Sequence, residues 1–428
     1  MTNYTFKGKI HLTNELPFTV DDGIARFNVR SKSILPFNEK HITLEGTTDT
    51  GKRIYLLVDH FYDCGFNHAT YENGEVFSAP HIEAVVEACV LMDHGSIDDV
   101  DSVGFYSHEI PKITNMQVSG ALNDDNASWM DIKKTLGQYK KGNRKYQMSI
   151  GFVEEKPFYS GQMLVINADG KMGIGEIKET YWLMKKTLTF IYQKRIVPLE
   201  DVYLRSGANN IGKLYVEKLE RSKYISFTSK CLPVFGWDDK FSNLLQAIAD
   251  DKVYLRHVPI FKDDEKSVTP GRFLMGLVGL ENVLDLTCVH VLHDDKHLKA
   301  VESVKRNITK LVNDSTGKEK KIYKGILEQV ERDENFEGRI KMSLEENCEF
   351  ISNFFALGML GDNSSSIAKD LAKARNSLAH GSLDVDLSMK SSYQMQFLML
   401  YILYLQLEII GFTKQEACEI VPHILFEH

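Results

Sequence analysis

Two patterns of apolar positions divide this chain of 428 residues. Up to about residue 220 the apolar residues come in short runs with partial alternation, separated by turn residues. "YTFKGKIHL", "ARFNVRSKSIL", "KHITLEGTT" and "KRIYLLVDHF" predict strands. Further strands are predicted at "VDSVGFYSHEI", "KITNMQVSGAL", "KYQMSIGFVEE", "GQMLVINADG", "VYLRS" and "IGKLYVEKL". One helical stretch, "IKETYWLMKKTLTFIYQKRIV", interrupts them. No repeat of fixed period is visible.

Near residue 240 the period changes. "DDKFSNLLQAIADD" reads as a helix, and "PGRFLMGLVGLENVLDLTCVHVL" opens on a proline suited to a first helical turn. "KHLKAVESVKRNITKLV" and "KKIYKGILEQVERD" are amphipathic. "SLEENCEFISNFFALGML" predicts another helix, with Ser343 and Glu346 spaced as a capping box. The run "SSSIAKDLAKARNSLAHG" and a long apolar helix near 388–412 complete the series. The fold class is therefore α+β: a β-rich region over 1–250, with a subdomain boundary near 120–150, then an all-α bundle over 255–428.

The most apolar stretch, "FLMLYILYLQLEIIGF", is broken by Gln406 and Glu408 and falls short of the about 20 residues that span a membrane. It predicts a buried bundle helix or a dimer face. Composition is that of a globular protein, with 43% hydrophobic and 26% charged residues. The net charge of −8 argues against a protein that coats duplex nucleic acid, which needs a basic excess. Six cysteines without a CxxC pair, and no signal-peptide pattern, predict reduced thiols in the cytoplasm.

Two phosphate-loop lookalikes fail on context. "GTTDTGKR" has Arg53 where a hydroxyl should hold magnesium, and a strand follows it rather than a helix. It predicts a hairpin turn. "GKMGIGE", 170–176, predicts a turn between strands. "HVLHDDKH" spaces His290, His293 and His297 at i, i+3 and i+7, one face of a helix, with Asp294 and Asp295 beside them. Three imidazoles there could ligate zinc as in a metal phosphohydrolase, although further ligands are not evident and a solvated helix end has the same pattern.

"ARNSLAHG", 374–381, carries more chemistry. Ile367, Leu371, Ala374 and Leu378 form an apolar stripe, and Arg375 borders it. His380 precedes Gly381, a residue suited to end a helix. Five residues turn an ideal helix by about 140°, so Arg375 and His380 do not share a face. A symmetric dimer removes this difficulty by bringing two arginines and two histidines to one cleft. Histidines acting as base and acid, with arginines on the phosphate, suit metal-free attack of an RNA 2′-hydroxyl on its own phosphodiester. An ordinary helix end with complementary cations has the same residues.

"RNSLAHG" resembles the R-x4–6-H motif of HEPN domains. The early bundle helix with Glu281, the motif helix and the long apolar helix after it are similar in order to that family. With the β-rich region in front, the whole chain resembles ApeA-type HEPN proteins of bacterial anti-phage defence. The resemblance implies a dimeric, metal-independent, cofactor-free endoribonuclease that acts on RNA, a tRNA loop being one suitable target. It also implies an N-terminal sensor for a phage trigger and abortive infection as outcome. Carried over, Arg375 contacts the scissile phosphate, His380 is the acid–base residue, Asn376 orients or binds, and Glu281 matches an acidic position. Lys369, Lys373 and "KEKKIYK", 318–324, are the local cations available for RNA. A non-catalytic HEPN module that binds a nucleotide or partner protein is the alternative.

Overall fold

The computed structural model describes residues 4–425 except 13–14, 22, 29–34, 37–38, 64–68, 73–74, 79–80, 108–109, 111–112, 114–134, 153–161, 195–198, 217–230, 235, 238, 260–267, 288–294, 332–335, 355–359 and 382–388. The chain divides into two compact units, one formed essentially by residues up to 251 and one by residues from 252 to 425.

The first unit is built on an antiparallel sheet. Strands β1 (Thr5–His11), β2 (Glu15–Asp21), β3 (Ile24–Asn28), β4 (Ile42–Thr48), β5 (Arg53–Asp63) and β8 (His81–Met92) run in the order β8-β3-β2-β1-β4-β5, and β5 pairs back onto β8. The six strands thus close a barrel, which leaves no open edge between them. Alternation explains the closure. Ile10, Phe18, Val20, Ala25, Phe27, Leu44, Leu56, Val58, Ile82, Ala84 and Val86 form one buried cluster, while the charged positions between them face outward. β1 and β4 approach closely at Gly8 and Gly46, where a Cβ on Gly8 would lie 2.1 Å from the Thr47 carbonyl oxygen. A small hairpin, β6 (Ala69–Glu72) with β7 (Glu75–Ser78), lies between β5 and β8 in sequence.

The sheet continues from β8 through β14 (Asn209–Tyr215), β13 (Asp201–Ser206), β9 (Ser102–Tyr106), β12 (Gln162–Ala168), β11 (Arg144–Phe152) and β10 (Thr135–Lys141). β9 precedes residues 120–150 and pairs with β12 beyond them, so one sheet spans that stretch. Two helices serve this extension. Helix α1 (Ile174–Tyr192) buries Ile177, Tyr181, Met184, Leu188 and Ile191. Helix α2 (Asp239–Ala249) covers the edge strand β10: Ser242 Oγ and Gln246 Oε1 accept from the backbone N–H groups of Gln138 and Lys140, and Gln246 Nε2 donates to the Lys140 carbonyl. Side chains here satisfy backbone groups that a lone edge would leave open.

"GTTDTGKR" is the β4–β5 hairpin. "GKMGIGE" differs from its expectation. It joins β12 to α1, not strand to strand, and Gly173 is the N-cap, its N–H donating to Glu176 Oε2 at 2.8 Å. The glycine-rich spacing concealed a helix start because the cap contact comes from the glutamate three residues on. "KITNMQVSGAL" lies almost wholly outside the described residues.

The second unit is helical: α3 (Pro270–Leu286), α4 (Asp295–Asp314), α5 (Gly317–Glu331), α6 (Phe336–Glu346), α7 (Cys348–Phe354), α8 (Ser364–Ala379), α9 (Met389–Ile409), α10 (Lys414–Ile420) and α11 (Pro422–Leu425). Thr269 caps α3 ahead of Pro270. α3 packs on α6, α8 and α9, and α4 pairs with α5. The apolar run is α9, with Phe397, Leu398, Leu400 to Leu405 and Leu407 all buried. Among the described residues no helix is long and apolar enough to cross a membrane. Ser343 is not a cap: it lies inside α6, buried, with its hydroxyl 2.5 Å from that of Tyr401. The helix starts earlier, at Phe336, so the Ser-x-x-Glu spacing falls in its last turn. Asn347 Nδ2 donates to the Tyr401 hydroxyl at 3.2 Å, and the Tyr404 hydroxyl donates to Asn347 Oδ1 at 3.1 Å. Every member of this buried polar group has a partner.

Candidate functional site

Helix α8 carries the Arg-Asn and His positions. Asn363 caps it, accepting from the Ser366 N–H at 2.9 Å while Ser366 Oγ accepts from the Asn363 N–H at 3.1 Å. Ile367, Ala368, Leu371, Ala372 and Leu378 turn inward. The helix runs unbroken to Ala379. His380 is the C-cap, its N–H donating to the Asn376 carbonyl at 3.1 Å. Gly381 follows at φ +80°, a left-handed backbone that a side chain would strain.

Because the helix stays straight, the rotation argument holds in the folded chain. Lys369, Lys373, Asn376 and His380 stand at i, i+4, i+7 and i+11, within about 60° of one another around the axis. All four are exposed. Among the described residues neither lysine makes an ion pair. They form one polar strip, a grouping that sequence reasoning missed although the spacing already contained it. Two lysines, an amide and an imidazole along one face can hold a phosphodiester backbone by charge and hydrogen bonds while the imidazole handles a proton.

Arg375 points elsewhere. Its Nη2 donates to both carboxylate oxygens of Glu281 on α3, at 3.2 and 3.0 Å, and its Nη1 reaches Asn376 Oδ1 at 3.4 Å. Both side chains of the ion pair are part-exposed, 34% for Arg375 and 27% for Glu281. Glu281 is therefore the partner of Arg375, and the pair ties α3 to α8. Lys318, Lys321 and Lys324 are exposed on α5. His290 and His293 lie outside the described residues, and His297 falls in the first turn of α4.

Residues 296–416, which run from the first turn of α4 into α10, match the model of the Apea-like HEPN family. The chain carries an Apea-like HEPN domain. The matched span includes the arginine, asparagine and histidine of α8, whereas Glu281 and α3 precede it. No curated protein and no solved structure matches the chain significantly. An HEPN domain points to nuclease-type chemistry, commonly in defence, and to RNA binding and dimerisation.

Proposed function

We propose that the protein is a metal-independent endoribonuclease of anti-phage defence, with its active site on α8. The observation that carries this reading is the Arg375-Asn376-x3-His380 arrangement inside the HEPN match, continued by Lys369 and Lys373 along the exposed face of the same helix. The lysine strip holds the RNA backbone. His380 takes the proton of a 2′-hydroxyl, whose oxygen attacks the adjacent phosphorus. The 5′-oxygen leaves and takes up a proton, giving a 2′,3′-cyclic phosphate and a 5′-hydroxyl. DNA lacks the nucleophile and is inert.

One histidine on one chain supplies one of these two proton transfers. A second copy of α8 supplies the other, which makes the homodimer the active form. Arg375 then faces a choice between Glu281 and the phosphate. Glu281 holds the guanidinium ready and gives it up when the phosphate arrives, a carboxylate and a phosphate both fitting its fork. The N-terminal barrel unit is the sensor for a phage product that licenses cleavage, which occurs in the cytoplasm and halts growth.

The Arg375–Glu281 pair also favours a second reading, a non-catalytic HEPN module in which that pair only joins α3 to α8. RNA-end sequencing in phage-infected cells expressing wild type or His380→Ala separates the two. The nuclease yields 2′,3′-cyclic phosphate ends that fall by about 100-fold or more in the variant. Identical end profiles in both strains, with dimer and fold intact, leave only the scaffold.

A further inference from the structure

We infer that the outer wall of the barrel holds a divalent zinc-class ion, ligated by His41, Asp59 and Glu87. The three side chains bring one imidazole nitrogen and two carboxylate oxygens within 4.8 Å of one another. His41 Nδ1 lies 3.2 Å from Asp59 Oδ1 and 3.6 Å from Glu87 Oε1. Ligand atoms set tetrahedrally about 2.0–2.1 Å from zinc lie roughly 3.3 Å apart. Both nitrogen–oxygen separations fit that spacing, and the fourth position is left to water.

The backbone is bent to make this arrangement. β5 and β8 pair in regular register except at two irregularities, one between Leu57 and Val58 and one between Val58 and His60. Leu57 pairs with Ala88 and Val58 with Val86, so Glu87 is passed over; His60 pairs with Val85, so Asp59 is passed over. The two off-ladder residues are the two carboxylates. Bulges of this kind re-aim side chains and gather near functional sites. His41 is held by its N–H donating to the Asp59 carbonyl at 3.0 Å, with φ at 55°, a left-handed backbone rarely adopted outside glycine.

Each carboxylate is also held from behind. Asp59 offers Oδ1 to His41 while Oδ2 lies 2.8 Å from His60 Nδ1. Glu87 offers Oε1 to His41 while Oε2 is paired with Lys178 of α1. An outer partner on the far oxygen fixes the near one, as in established metal centres. The imidazole selects zinc-class metals over magnesium and calcium, which prefer all-oxygen sites.

The test uses the full-length protein, stripped with a chelator and titrated with ZnCl2 by calorimetry. Metal retained after gel filtration is counted by mass spectrometry. Wild type retains zinc at this site. His41→Asn, which tolerates the left-handed backbone, and Asp59→Asn lose it. His60→Ala and Lys178→Met weaken binding roughly 10–100-fold through the outer contacts. The triple variant His290→Ala, His293→Ala, His297→Ala binds as wild type does. Circular dichroism establishes that each variant is folded. Zinc affinity and stoichiometry unchanged in folded His41→Asn and Asp59→Asn overturn the site, as does zinc lost only in the triple histidine variant.

Discussion

The two units build polar sites in opposite ways. On the helical unit the candidate residues come from one short stretch, and a straight helix sets their directions. Lys369, Lys373, Asn376 and His380 face one way because the backbone is regular. On the barrel, Asp59 and His60 of β5, Glu87 of β8, Lys178 of α1 and His41 ahead of β4 are brought together from four places in the chain. They meet only because the strand ladder is irregular at two points. A regular element displays a linear motif; an irregular one assembles a site that no local pattern announces.

The largest expected effect tests the first half of that contrast. Arg375→Lys keeps the charge but removes the planar fork that fits both the Glu281 carboxylate and a phosphate. RNA cleavage in a purified, triggered assay should fall by about 100-fold, the scale of losing a preorganised donor to developing charge. Cleavage at the wild-type rate in this variant would mean that the fork is structural only.

The cores differ as the sites do. The barrel interior is apolar, with Phe27 fully buried and its ring 6.1 Å from that of Phe61, so Phe27→Ala should cost about 3–5 kcal/mol. The bundle keeps Ser343, Asn347, Tyr401 and Tyr404 hydrogen-bonded to one another in its interior. Asn347→Leu takes one hydrogen-bond partner from each of the Tyr401 and Tyr404 hydroxyls and should cost about 1–3 kcal/mol. The units can be followed separately, because Trp129, Trp182 and Trp237 all precede residue 252. In a denaturant titration Phe27→Ala should move the tryptophan fluorescence transition, and Asn347→Leu the far-ultraviolet transition of the helices. A shift of the tryptophan transition by Asn347→Leu would show that the units unfold as one.

Much of this was legible from residue order. The strand runs, the change of period near residue 240, the rejected phosphate loop and the helix ending at Gly381 follow from local rules, and local rules describe local geometry. Strand β8 carries the barrel closure yet went unread. Its "HIEAVVEACVLM" alternates only over its first half and is buried on both sides over Ala88, Cys89 and Val90, which blurs the period. The Arg375–Glu281 contact was half visible: the acidic position was noted, but its partner depends on how α3 packs on α8. The barrel cluster was invisible because two register shifts have no signature in residue type. Ser343 misled for a related reason. The capping spacing describes a helix start only if the helix starts there, and α6 starts about two turns earlier, at Phe336.

The smallest effect separates two glutamates, one in each unit, that face burial with different company. Burial penalises the Glu176 carboxylate, but the Gly173 N–H, Arg144 and the Tyr146 hydroxyl together outweigh it and hold its pKa below the ordinary value. Burial also penalises Glu408 on α9; Lys414 only partly offsets this, and the pKa rises. The signs follow from proton linkage. Glu176 binds its proton less readily when folded, so its contribution to stability is present above the unfolded glutamate pKa and is lost as pH falls through the depressed folded value. Glu408 binds its proton more readily when folded, so it penalises the fold at neutral pH. That penalty fades as pH falls through the raised folded value and is gone below the unfolded one. Glu176→Gln should therefore destabilise the barrel unit at pH 7, with a smaller loss at low pH. Glu408→Gln should stabilise the bundle at pH 7, with no gain well below about pH 4.3, the ordinary glutamate value. Unfolding midpoints across that range, read by tryptophan fluorescence for the first and by helical signal for the second, should diverge from wild type in opposite directions as pH rises. Two midpoints that move the same way would mean that the company each carboxylate keeps, and not burial alone, has been misassigned.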